Sequence, residues 1–165
     1  MIRRRDLVLG LAALGLSATP AFAEPAFKKL LPFLIDLPGW QGAKPDGMTM
    51  EAGDSEMTMA TRRYQKASAS FEAGVIKGSA AIGAMAPLNA GMKLETAEMH
   101  MLSGDIGGFK ALRTYNNNEK SGAIIVKLAD DTIFNVSYRN ISEDDALTLT
   151  GKFDWKAMLA AVSAK

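Results

Sequence analysis

Apolar and polar positions change period several times along this chain, and each change marks an element. From Glu56 the period is two: Met57, Met59 and Thr61 alternate with Thr58, Ala60 and Arg62, and Ala69, Phe71, Ala73 and Val75 continue in the same manner. Such alternation predicts half-buried strands, because successive side chains leave a strand on opposite faces. The two runs form a hairpin turning near Gln65-Lys66-Ala67. Glu95 to Leu102 alternates again, with Ala97, Met99 and Met101 on one face and Glu98 and His100 on the other. Strands over Phe109–Tyr115, Ala123–Leu128 and Thr132–Arg139 follow. Turn signals separate them at Asp105-Ile106-Gly107-Gly108, at Asn116 to Gly122 and at Asp130-Asp131. Consecutive strands on short turns make an antiparallel meander.

Helical spacing flanks and interrupts these strands. Ala26 to Leu31 reads as a short amphipathic helix that Pro32 interrupts before Ile35. Gly78-Ser79 opens a small-residue helix, Ala80 to Ala86, which Pro87 ends. Ser142 with Asp145 three residues on resembles a capping box, with Asp in place of the longer Glu, and Gly151 stops that helix. Asp154 caps the next, in which Trp155, Met158, Leu159 and Val162 share one face. Between the N-terminal helix and the first strand, Leu37-Pro38-Gly39-Trp40 predicts a turn that seats Trp40 in the core. Gln41 to Gly53, rich in Gly, Pro and Asp, predicts a loop. The expected class is α+β, an antiparallel sheet of about six strands with helices packed on it, in one domain over residues 24–165.

The first 23 residues follow a different logic. Arg3, Arg4 and Arg5 precede an apolar run from Leu7 to Leu16, and the segment closes on Ala21-Phe22-Ala23. A basic start, a short hydrophobic stretch and an Ala-x-Ala end predict a signal peptide cut after Ala23. The run is shorter than the roughly 20 apolar residues a membrane-spanning helix needs. Arg4-Arg5-Asp6-Leu7-Val8 matches the twin-arginine export pattern, and a general secretory signal with three arginines has the same appearance. Either route predicts a periplasmic or secreted protein with no stable membrane span after cleavage.

Charge and composition then exclude several classes. Cleavage takes three arginines and one aspartate from 19 basic and 18 acidic groups, leaving 16 and 17. That balance lacks the basic excess of a nucleic-acid binder. With no cysteine, the chain has no disulfide, no thiolate metal site and no cysteine nucleophile, so its fold in an oxidising compartment rests on packing. A serine nucleophile would need a base, and His100 is the only histidine. Gly-x-Ser-x-Gly, His-Glu-x-x-His and phosphate-loop patterns are absent. Asp130-Asp131 belongs to a turn and Glu143-Asp144-Asp145 to a helix's first turn, where acids favour the dipole. The expectation is a non-enzyme.

Three groups of residues are candidates for binding. Asp105, between Gly104 and Gly107, is a possible ligand-loop acid, and Asn117 and Lys120 belong to a polar hairpin loop suited to contact. Arg62-Arg63 and Lys110/Arg113 read as charges of a solvated strand edge, or as a basic patch for an anionic partner. Methionine is in excess: six of the ten fall in the pairs Met48/Met50, Met57/Met59 and Met99/Met101. Thioethers are soft ligands that select Cu(I), so Met57, Met59, Met99 and Met101 are candidate metal ligands. Strand geometry offers a plainer account. His100 points away from Met99 and Met101, and Met57, Met59 and Thr61 form an ordinary core-facing sequence of the kind methionine fills readily. Met48/Met50, in the predicted loop, has less reason to pack.

The order of elements, with Leu37-Pro38-Gly39-Trp40, Arg63-Tyr64, Gly107-Gly108-Phe109-Lys110-Ala111 and Phe153-Asp154-Trp155-Lys156-Ala157-Met158-Leu159, resembles the Mog1/PsbP-like α/β/α sandwich. It is similar also to small secreted bacterial proteins without assigned function. The resemblance spans most of residues 24–165 through element order and short motifs. It implies a non-enzymatic binding or assembly factor and carries over no site residue. The resulting expectation is a periplasmic binding or accessory module that engages a protein or small ligand. A periplasmic Cu(I)/Ag(I) binder is the alternative.

Overall fold

The computed structural model describes residues 24–53 and 55–163, so the signal peptide assigned to residues 1–23 lies outside the described residues. Two single-turn 3₁₀ helices, Ala26–Lys29 and Leu31–Phe33, open the described chain. Pro32 explains the break, since a helix interior cannot accommodate its ring and missing N–H. Strands β1 (Gln41–Gly42), β2 (Asp46–Ala52), β3 (Ser55–Lys66) and β4 (Ala69–Gly78) follow. Helices α1 (Ser79–Ala84) and α2 (Ala86–Asn89) lead into β5 (Lys93–Glu95), β6 (Met99–Ile106), β7 (Phe109–Asn116), β8 (Ser121–Ala129) and β9 (Thr132–Arg139). Helices α3 (Glu143–Thr150) and α4 (Trp155–Ser163) close it.

All pairings are antiparallel, in the order β1-β3-β4-β9-β8-β7-β6-β5, with β2 also on β3. The class is α+β as expected, but the described residues hold nine strands rather than about six. The additions are the three outermost. Residues 41–53 form β1 and β2 instead of a loop, because the outer edge of the twelve-residue β3 offers unpaired backbone groups that satisfy theirs. The short, fully exposed β5 caps the other edge with Lys93 and Glu95. The tight β6–β7 connection has φ of +58° and +84° at Gly107 and Gly108, both left-handed as a two-residue hairpin turn requires.

Register assigns the two faces. Phe134, Val136 and Tyr138 of β9 share one face with Phe71, Ala73 and Val75 of β4, with Ala60 and Tyr64 of β3 and with Ile124 and Val126 of β8. These residues are buried beneath the N-terminal 3₁₀ turns, α3 and α4, and form the main core with Leu34, Phe153, Trp155 and Met158. Trp40 is only half-buried and packs on Phe71, their rings 6.2 Å apart. Met57, Met59 and Thr61, expected toward the core, lie on the opposite face; Thr58, Ala60 and Tyr64 supply the core side of β3. Thr58 and Ala60 are small enough to pass as the polar half of the alternation, which is why the pattern misassigns the inward side.

The opposite face carries a smaller core, in which Ala81 and Met85 pack on Ile76, Ile125 and Ile133. Helices therefore lie on both faces of the sheet. Pro87 begins α2 rather than ending α1, because the first turn of a helix tolerates a missing N–H. Both C-terminal caps form as the spacing implied. The Asp145 amide donates to Ser142 Oγ (3.2 Å) and the Ala157 amide to Asp154 Oδ1 (2.9 Å). Asp145, too short to reach back to the Ser142 amide, accepts from the Ser142 hydroxyl instead (2.8 Å). Among the described residues no helix is long and apolar enough to cross a membrane.

Candidate functional site

α1 and α2 cover only part of their face. Past Gly74 and Asn135, toward the β3–β4 turn, the sheet is left open, and the strand register lines up polar residues there. Arg63, Glu72 and Ser137 form one row across β3, β4 and β9. Gln65, Ser70, Arg139 and Ser121 form the next, reaching β8. These rows line an open hollow of about 540 Å³, with Gly122, Phe71, Tyr64 and Tyr138 beneath them. Arg63 Nε donates to Glu72 Oε2 at 2.8 Å, leaving half of that guanidinium free, and Ser121 Oγ donates to Glu119 Oε2 at 3.1 Å. Arg139 is exposed, and no carboxylate among the described residues lies within salt-bridge distance of it. Arg63, Arg139 and the neighbouring Lys120 against Glu72 and Glu119 leave the hollow and its rim net positive, and a fork of N–H groups suits a carboxylate or phosphate.

Across the sheet lies a half-buried ionic cluster. Glu143, first residue of α3, turns down onto the sheet, where its Oε2 stands 3.0 Å from His100 Nε2 of β6 and its Oε1 3.5 Å from Arg113 Nη1 of β7. A carboxylate only accepts, so the imidazole N–H donates. Oε1 is buried without a hydrogen bond among the described residues, so Arg113 acts on it by charge alone. The His100 ring leans on Tyr115 (6.0 Å), which stacks on Tyr138 (6.2 Å, 20° between planes). None of the three ionic residues lines the hollow. The arrangement clamps the start of α3 to β6 and β7. Glu143→Ala is expected to cost about 1–3 kcal/mol, because it leaves the half-buried His100 N–H without its acceptor and the Arg113 charge without its partner. In a urea-denaturation cycle with His100→Ala the two losses should be non-additive by about 1 kcal/mol. Full additivity would show that the contact holds nothing.

Burial also shifts two phenols. Tyr64, whose hydroxyl donates to the Ile35 carbonyl at 2.7 Å, has its pKa pushed up to about 12, chiefly by burial and against the lowering effect of Arg62. Tyr138 is raised further, by burial first and then by Glu143 and Tyr115.

The residues singled out in the sequence do not form one site. Lys120 immediately precedes Ser121 at the rim of the hollow, and Asn117 belongs to the same turn. There its amide and side chain donate to the Glu98 and Ala97 carbonyls, at 2.8 and 3.3 Å. Asp105 lies at the far end of β6, paired with Lys110, about 24 Å along the strand at some 3.4 Å per residue. The basic residues also separate. Arg62 faces inward, donating to the Leu34 and Ala43 carbonyls (both 2.8 Å) and pairing with Asp36, whereas Arg63 faces the hollow. Lys110 and Arg113, an odd number of positions apart in β7, face opposite sides.

Met57/Met59 and Met99/Met101 share a face but lie five strand positions apart, about 24 Å at some 4.8 Å per step. All four are partly buried. Met57 and Met59 instead stand directly opposite Met50 and Met48 of β2. Arg139, the key residue of the hollow, belongs to no motif in the sequence. The alternation of Asn135, Ser137 and Arg139 along the strongest strand was the available signal that one stretch of this face stays polar. No family model, curated protein or solved structure matches the chain.

Proposed function

We propose that this chain is an exported, non-catalytic binding module that holds a small anionic ligand in the hollow between Arg63 and Arg139. The observation that carries this reading is the convergence of two arginines and three serines (Ser70, Ser121 and Ser137) on the part of the sheet that α1 and α2 leave bare. Where α1 does cover this face, it lies over the apolar Ile76, Ile125 and Ile133. Here the face is concave and rich in donors, the composition by which a pocket fixes a polar ligand. A binding or assembly role is also what the resemblance of the sequence to the Mog1/PsbP-like sandwich implies. Export through the twin-arginine or the general secretory route follows from the pattern of residues 1–23.

Succinate, as a simple dicarboxylate probe, tests the reading. Titration to about 10 mM, enough to detect millimolar affinity, should give saturable amide shifts at Ser70, Ser121 and Ser137. Arg139→Ala should weaken binding by about tenfold or more, the loss of a charge-assisted hydrogen bond worth some 1.5–3 kcal/mol. Shifts that fail to saturate, or that persist unchanged in Arg139→Ala, would refute the site.

A further inference from the structure

The β2–β3 hairpin places four methionines on one patch of surface. The register sets Met48 opposite Met59 and Met50 opposite Met57. Residues directly opposite share a face, and residues two apart on one strand share it too. All four thioethers therefore stand on the side of the sheet that carries α1. Directly opposed Cβ atoms are about 5 Å apart and alternate residues of one strand about 7 Å, so the four Cβ atoms outline a rectangle whose centre is about 4 Å from each. Each sulfur stands two bonds beyond its Cβ on a flexible, unbranched chain. All four sulfurs can meet over that centre.

Packing does not account for the quartet. Met48 and Met50 are 41% and 47% exposed, on an edge strand that a partner-free design would furnish with charge. The methionines that fill the two cores are others, Met85 and Met158, exposed by only 1% and 0%. At the opposite edge of the sheet no methionine stands directly across from another in the β5–β6 and β6–β7 registers: Met99 faces Asn116, and Met101 faces Leu94 and Thr114. Among the described residues, the hairpin alone pairs methionine directly with methionine.

We propose that Met48, Met50, Met57 and Met59 form a surface site for a soft monovalent ion, Cu(I) or Ag(I). Thioethers are neutral, polarizable donors that prefer these ions to harder divalent ones, and the chain has no thiolate to compete for them. Thioether sulfur, unlike imidazole, carries no proton to displace, so occupancy is independent of pH between about 5 and 8. The site is separate from the hollow at Arg139, and neither depends on the other.

The test uses the full chain labelled with carbon-13 at the methionine methyls and titrated with Ag(I), followed by Cu(I) under ascorbate in competition with bicinchoninate. The methyls of Met48, Met50, Met57 and Met59 should shift together and saturate at one equivalent. Met85, Met158, Met99 and Met101 should stay in place. Met48→Leu/Met50→Leu, a volume-conserving change at exposed positions, should weaken Cu(I) binding by about 100-fold or more while leaving the circular dichroism spectrum unchanged. Met99→Leu/Met101→Leu should leave it within about twofold. Absence of Ag(I)-induced shifts overturns the proposal. So do shifts spread over all the methionines, shifts centred on Met99 and Met101, or unchanged affinity in Met48→Leu/Met50→Leu.

Discussion

Raising the pH from about 10 to about 12 is expected to remove about 2 kcal/mol of stability through Tyr64 alone. Tyr64 is 1% exposed and its pKa is about 12 in the folded chain, against about 10 in an unfolded one. Folding raises this pKa, so the folded state holds the phenolic proton at a pH where the unfolded chain releases it. The contribution is fully present below pH 10 and is lost as pH climbs toward 12, at 1.36 kcal/mol per pKa unit. Tyr138 is shifted in the same direction, by burial and by the nearby Glu143 carboxylate, and steepens the loss. Guanidinium unfolding at a series of pH values measures it directly. At about pH 11, a full unit below the folded-state value of Tyr64, tyrosinate absorbance at 295 nm should rise further when the protein is unfolded, as the sequestered phenols are released. Tyr64→Phe, which removes the ionisable group along with the bond to Ile35, should be less stable at neutral pH yet lose less between pH 10 and 12. A wild-type stability that stays flat across this window would show that the phenols are not sequestered.

Phe134→Ala is expected to destabilise the fold by about 3–5 kcal/mol, a large part of the 5–15 kcal/mol that holds a typical domain together. Phe134 is fully buried on β9, between β4 and β8, and its ring lies 5.0 Å from Phe153 and 6.3 Å from Trp155. Phe153 and Trp155 anchor the entry to α4, so removing Phe134 opens a cavity between the sheet and that helix. Rigid secondary structure on three sides limits collapse into the space, which sets the cost toward the upper end of the range. Thermal unfolding should show a midpoint lower by about 10–15 °C. Met158→Leu, equally buried but volume-conserving, should cost less than about 1.5 kcal/mol. Comparable losses in the two variants would mean that the aromatic cluster is not the centre of the core.

Both variants test parts of the fold that were largely legible in the sequence. The strand Thr132–Arg139 matches β9 residue for residue, because its alternation is strong and its flanking turns are short. Ser142, Gly151 and Asp154 marked the ends of α3 and α4 because capping depends on side chains within a few residues. Strand existence was harder to read where it depended on a partner. Residues 41–53 carry Gly42, Pro45, Gly47 and Gly53, the residues of a loop, and become β1 and β2 only because β3 presents them an open edge. Met57 and Met59 looked core-facing for a related reason. A strand with one apolar and one small-residue face does not say which of them meets the larger layer of helices.

The candidate sites were less legible than the fold. Lys120 is legible as a contact residue from its loop, and it lies beside Ser121 at the rim of the hollow. Arg139, at the end of a strand, is not legible in that way, because the hollow exists only where helices fail to cover the sheet. Asp105 and Asn117, both plausible contact residues by composition, fall at opposite ends of one hairpin. The Met-x-Met pairs were conspicuous in the sequence, but their grouping was not. Spacing within a strand shows that two side chains share a face; it does not show which strand lies alongside.

The sequence by itself determined the period of each element, the capped ends of the C-terminal helices, the α+β class and a chemistry without thiols. All of these follow from residues within a few positions of one another. Only the tertiary structure decided that β3 would gain β1 and β2 at its edge, that four methionines would meet there, that Glu143 would reach His100 and Arg113, and that Arg63 and Arg139 would border one hollow. Each of these depends on strand pairing or helix docking between distant parts of the chain. That pairing is set by burial and hydrogen bonding summed over the whole sheet, which no local pattern contains.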